Sequence, residues 1–147
     1  MRQATLLIVA LVLAAGAVGC GSSSNRLTRT EFRTEANAVC TKYDAKLKTL
    51  PRPKGLSDVD TYVSRALPLF TSEIAEIRAL KPPADLQDQV DRMLARAQDT
   101  VTAAKKLRDA AKKGDQLAAQ TALREGQAAS NDANKIARGL GLTRCAT

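Results

Sequence analysis

Leu80 to Val90 reads LKPPADLQDQV, and it breaks one apolar rhythm and starts another. Pro82 and Pro83 remove two backbone donors and push the residue before each of them away from helical geometry. Asp85 then puts an acid where a helix start favours one, and Leu86 and Val90 resume a spacing of four. One helix therefore ends at this stretch and another begins near Asp85. Upstream, Val59, Val63, Ala66, Phe70, Ile74 and Ile77 form one stripe, with Ser57 as the expected N-cap. Pro68 interrupts that stripe, yet its rhythm continues on both sides, which predicts a single kinked helix. Downstream, Leu86, Val90, Met93, Ala97, Val101, Ala104, Leu107 and Ala111 form the next stripe. Lys112 and Lys113 suit its C-terminus, and Gly114 suits a left-handed cap.

The same reading extends outward to both ends. Thr28 and Glu31 match a capping box, followed by Phe32, Ala36, Val39, Tyr43, Leu47 and Leu50 at helical spacing. The PRPKG stretch from Pro51 to Gly55 ends that helix. Asp115 is the expected cap of the last helix, with Ala118, Ala122, Gly126, Ala129, Ala133, Ile136 and Leu140 facing inward. These side chains are mostly small, so the last helix can approach its neighbours closely. The expectation is an all-α, up-down-up-down four-helix bundle over residues 28–147. A three-helix bundle with a long arm and a dimeric coiled coil are the competing architectures, and a monomer is favoured over a dimer.

Composition narrows the function classes. The chain has no histidine or tryptophan, and aromatic residues make up 3% of it, so the core must be aliphatic and helical rather than built from strands. The net charge is +8. A basic balance can signal nucleic acid, but no aromatics are interleaved with the cations to stack on bases, and no nucleic-acid partner is expected. No phosphate-cradling glycine loop or nucleophile elbow occurs. The serines lack a base. Asp85, Asp88 and Asp91 read as a solvated first helical turn, while Glu73 and Glu76 lie three apart on one helix with nothing to suggest burial. Met93 reads as core rather than as a haem ligand. No catalytic residue, metal site or cofactor is expected, and the chain is read as a non-enzyme.

The N-terminus gives an address. Arg2, the apolar run Ala4–Ala15 and the small residues Gly16, Ala17 and Gly19 have the three regions of a secretory signal peptide. A transmembrane anchor is the competing reading, but a spanning helix needs about 20 predominantly apolar residues. Ala17-Val18-Gly19-Cys20 resembles the lipobox of bacterial lipoproteins, with Ala17 where leucine is commoner. That resemblance implies a diacylglyceryl group on the Cys20 thiol and cleavage just before it by signal peptidase II. Gly21 to Asn25 (GSSSN) then forms a flexible, uncharged tether. The expected organisation is a lipoprotein signal peptide over residues 1–19, a lipidated cysteine and tether over 20–27, and the bundle over 28–147.

With Cys20 lipidated, Cys40 and Cys145 remain as an even pair near opposite ends of the mature domain. In an exported protein such a pair is expected to form a structural disulfide. A free buried thiol at Cys40 is the rival reading; a nucleophilic cysteine would need a base that the chain lacks.

Cations gather late in the first and third helices. Lys46, Lys48, Arg52 and Lys54 would meet Lys105, Lys106, Arg108, Lys112 and Lys113 at one pole of an up-down-up-down bundle. These nine form a candidate anion-binding pole facing away from the anchoring membrane. The helix macrodipole alone favours lysines there by about 0.3–1 kcal/mol each, so the pattern also has a purely structural origin.

Taken with the lipobox, the early and terminal cysteines and LKPPADLQDQV, the chain resembles the small lipoproteins of high-GC Gram-positive bacteria, most of which have no assigned function. The resemblance implies tethering to the outer leaflet of the cytoplasmic membrane, facing the extracytoplasmic space. It transfers no catalytic residue. The expected role is a lipid-anchored, non-enzymatic binding or scaffold module of the cell envelope. Its partner is expected to be an anionic wall polymer or an envelope protein. The alternative is a carrier holding a small apolar or lipidic ligand in the bundle core, within a cavity of several hundred Å³ lined by Phe70, Ile74 and Met93.

Overall fold

The computed structural model describes Arg26 to Ala146. The leader, Cys20 with its lipidation, and the tether as far as Asn25 lie outside the described residues. Four helices follow one another: α1 (Arg29–Lys48), α2 (Leu56–Ala79), α3 (Gln87–Lys113) and α4 (Gln116–Leu140). They form an all-α bundle in which successive helices run antiparallel. Leu27 N–H donates to the Lys81 carbonyl where α1 begins and α2 ends. Lys112 reaches Asp60 where α3 ends and α2 begins. Among the described residues no helix is long and apolar enough to cross a membrane.

Local chemistry places most helix ends. Thr28 closes the expected capping box: its hydroxyl accepts from Glu31 N–H, and its own N–H donates to the Glu31 carboxylate at 2.8 Å. Gly114 and Gly141 cap α3 and α4 with positive φ of 67° and 77°. The Asp115 carboxylate accepts from Ala118 N–H at 2.9 Å. The second helix begins two residues earlier than expected. Gly55, not Ser57, holds the N-cap position, and the Asp58 carboxylate reaches back to Lys54 N–H at 3.0 Å. After Pro83, a single 3₁₀ turn over Ala84–Leu86 precedes α3, so Asp85 sits just ahead of the α-helix. Pro68 lies on the exposed face within a continuous α2, where solvent can take over the hydrogen bond it cannot make.

Packing makes α3 the central helix. It buries Val90, Met93, Leu94, Val101, Ala103 and Ala110, a face wider than one stripe, because it lies against both α2 and α4. Small residues bring α4 close: a Cβ built on Gly126 would stand 3.3 Å from that of Ala103. The buried stripe of α4 starts at Ala119 and not at the expected Ala118, which is exposed and spends its N–H on the Asp115 cap. α1 packs on α2 and is tied to the end of α4 through the C-terminal tail. Arg33 Nε donates to the Leu140 carbonyl at 2.8 Å, and Arg144 N–H donates to Asn37 Oδ1 at 2.8 Å. Leu142, fully buried, plugs that end; burying such a side chain contributes about 1.5–3 kcal/mol.

Candidate functional site

Cys40 and Cys145 are joined, their Cα atoms 5.1 Å apart and 105 residues apart in sequence. After Gly141 the chain reverses and runs beside α1, so that Asn37 and Thr41 meet Arg144 and Cys40 meets Cys145. The bond thus fastens the tail to the middle of α1.

The nine cations of the expected pole take different positions. Lys46 stands over the Tyr43 ring, 4.9 Å from its centroid, and Lys48 pairs with Asp44 at 2.6 Å. Lys106 turns to α4 and pairs with Glu125 at 2.8 Å, while Arg108 pairs with its neighbour Asp109 at 2.9 Å. Lys112 bridges to Asp60 at 3.4 Å. Arg52 and Lys54, in the connection between α1 and α2, line a surface hollow with Tyr62 and Arg65. Lys105 and Lys113 are exposed. Arg52, Lys54, Lys105 and Lys113 form no ion pair with described residues. The end where α2 starts and α3 stops therefore gathers Arg52, Lys54, Lys112 and Lys113.

An apolar groove opens at that same end. α1 has 20 residues and α3 has 27, a difference of about 10 Å at 1.5 Å per residue. Where α1 stops short, α2, α3 and α4 form the wall, with Pro53 of the connection after α1. The resulting groove has a volume of about 630 Å³ and is lined by Pro53, Leu56, Val59, Tyr62, Val63, Leu107, Ala119 and Leu123, with Gln116 and Gln120. Leu123 is 59% exposed and Leu117, on the same helix, 73%. The volume falls within the roughly 300–1,000 Å³ of small-molecule sites. Tyr62 also lines the hollow that holds Arg52 and Lys54, so apolar wall and cationic edge share a residue.

A second feature lies in the core. Phe70, Ile74 and Met93 do line a cavity, but its volume is about 130 Å³, far short of the several hundred expected for a carrier of lipid. Glu73, one of its lining residues, lies one turn from Glu76 in the seam between α1 and α2. There, Glu76 accepts from Lys42 and from Tyr43, and these bonds hold its carboxyl below the usual range. Burial, with Asp44 and Glu76 nearby, pushes the Glu73 carboxyl up to about 7. Nothing in the sequence pattern suggests burial at Glu73, and the structure corrects this: it is half-buried, three positions after Phe70 and one before Ile74, on the edge of the apolar stripe. No three of the described Cys, Asp or Glu residues group so as to hold a metal ion.

The chain matches no family model, and comparison with curated proteins and with solved structures yields no similar protein.

Proposed function

We propose that this chain is a lipid-anchored, non-enzymatic binding module of the bacterial cell envelope, held by Cys20 on the outer leaflet of the cytoplasmic membrane. Its recognition surface is the groove at the end of the bundle that α1 leaves uncovered. The observation that carries this reading is an apolar groove of about 630 Å³ beside a hollow where Arg52, Lys54 and Arg65 outnumber the one acid, Asp58, and where Arg52 and Lys54 form no side-chain ion pair with described residues. Such a surface suits an anionic amphiphile. An acyl or other apolar chain would lie along Val59, Leu107 and Leu123, and the acid group would meet the cations at the rim. The small core cavity does not suit a lipid, so the carrier reading moves from the core to this groove.

The test is fluorescence of anilinonaphthalene sulfonate, an apolar anion, and its displacement by palmitate. Saturable binding is expected, weakened about tenfold, or roughly 1.4 kcal/mol, by Leu123→Glu and separately by Lys54→Glu. Both positions are exposed, so neither change disturbs the core. Undiminished binding in both variants, or no saturable binding, would remove the proposal.

A further inference from the structure

One acid, Glu73, stands in the lining of the core cavity. The walls of the cavity are apolar side chains from α2, α3 and α4, closed on one side by the Cys40–Cys145 bond. Among the few polar groups at its edge, the Thr100 hydroxyl is spent on the Arg96 carbonyl at 3.2 Å. Glu73 is different. No hydrogen bond or ion pair from a described residue reaches its carboxylate. Its neighbours are acids with cations of their own: Glu76 has Lys42, and Asp44 has Lys48. Glu73 is thus the one acid of this group left without an ion pair among the described residues, and it lines an apolar hollow. A half-buried carboxylate without a partner is costly, and a cation beside it would supply the partner.

We propose that this cavity binds a compact apolar molecule bearing one primary ammonium group, its body between Phe70, Ile74, Met93 and Val101 and its ammonium against Glu73. The volume of about 130 Å³ sets the size of the body, since a cavity of about 150 Å³ accommodates benzene. The groove and the cavity share no lining residue, so this site stands or falls independently of the groove.

Charge fixes the pH dependence. Ionised groups acting on Glu73 come from α1 (Asp44, paired with Lys48) and from α2 (Glu76, with Lys42 and Lys46 beside it); Thr100 of α3 and Ser130 and Asn134 of α4 at the cavity wall do not titrate. Binding of an ammonium requires ionised Glu73. It strengthens as pH rises through about 7, and below that it displaces a proton.

Met93 makes the test direct. The chain contains two methionines, Met1 and Met93, so a ¹³C-methyl methionine label reports on the cavity wall through one residue of the domain. Benzylamine and benzyl alcohol, nearly equal in shape, are titrated into the purified full-length protein with its disulfide intact. At about pH 8 benzylamine should shift the Met93 methyl signal saturably and bind at least about tenfold more tightly than the alcohol. At about pH 5.5, where most Glu73 carries its proton, the preference should largely vanish. Glu73→Gln should abolish the preference at both pH values while leaving binding of the alcohol intact, which shows that the cavity still stands. Equal binding of amine and alcohol by the unaltered protein, a preference that survives Glu73→Gln, or a Met93 signal that neither compound moves would overturn the proposal.

Discussion

Glu73 and Glu76 are one helical turn apart and live in opposite electrostatic surroundings. Glu76 is held in its charged form by Lys42 and Tyr43, whereas Glu73 is pushed towards its neutral form by burial and by two neighbouring acids. Folded Glu73 keeps its proton up to about pH 7, while in the unfolded chain it would lose it near 4.5. Folding therefore takes up a proton between these values, and this residue's contribution to stability falls as pH rises through that window. Glu73→Gln stays neutral throughout. The variant should match the unaltered protein near pH 4.5 and exceed it at about pH 8 by roughly 1–2 kcal/mol, a figure reduced for the solvent that reaches Glu73. Paired denaturant titrations at the two pH values check this, and a difference that does not change with pH would contradict it. Gly141 makes a second demand at this scale. Its φ is +77°, and a Cβ there would come within 2.9 Å of Arg33 Nε, the group that donates to the Leu140 carbonyl. Gly141→Ala should cost about 1–2 kcal/mol in the same titrations.

Among the elements, α1 depends most on something other than helix packing. α3 has α2 and α4 as broad partners, whereas α1 has α2 and a five-residue tail from Gly141 to Cys145. The disulfide closes a long loop, and in the chain-entropy account a loop of about 100 residues is worth roughly 4–5 kcal/mol. Cys40→Ser with Cys145→Ser should therefore lower stability by about 3–5 kcal/mol. Amide exchange should show where: protection is lost first across α1 and the tail and last in α3. Uniform loss would mean that α1 is integrated more firmly than its contacts imply.

The helices themselves show what could be read from sequence alone. The capping box at Thr28, the left-handed Gly114 and the Asp115 cap were legible because each depends on residues within one turn. Ser57 misled because Asp58, one residue later, supplies the side-chain bond to the backbone. Leu67 and Leu94 were overlooked since a single stripe describes a helix with one neighbour, and these two are buried by a second. The groove was out of reach: it results from the different lengths of α1 and α3, a property of two helices compared in space. Glu73 lay on the margin of an apolar stripe, where period alone does not separate a solvated acid from one facing a cavity.

At the scale of the whole molecule, the first described residues and the groove occupy opposite ends. Arg26, the first described residue, donates to the Pro82 carbonyl at 2.8 Å and to Gln87 at 2.7 Å, at the start of α3. Lys112 and the groove lie towards the other end of that helix, roughly 40 Å away at 1.5 Å per residue. A tether running from Cys20 to Asn25 adds at most about 20 Å. With the anchor proposed above, the groove faces outward from the membrane surface, and its ligand reaches it from the envelope space rather than from the leaflet below. Two acyl chains at about 0.8 kcal/mol per buried CH₂ hold a protein firmly, whereas surface cations alone bind anionic lipid weakly at high salt. The protein extracted from a bacterium that processes lipoproteins should begin at Cys20 and carry acyl mass, and Cys20→Ser should lose that mass. Palmitate displacement from the groove should be unchanged, because the groove does not use the anchor. An unaltered protein without acyl mass would show that Cys20 is not the anchor.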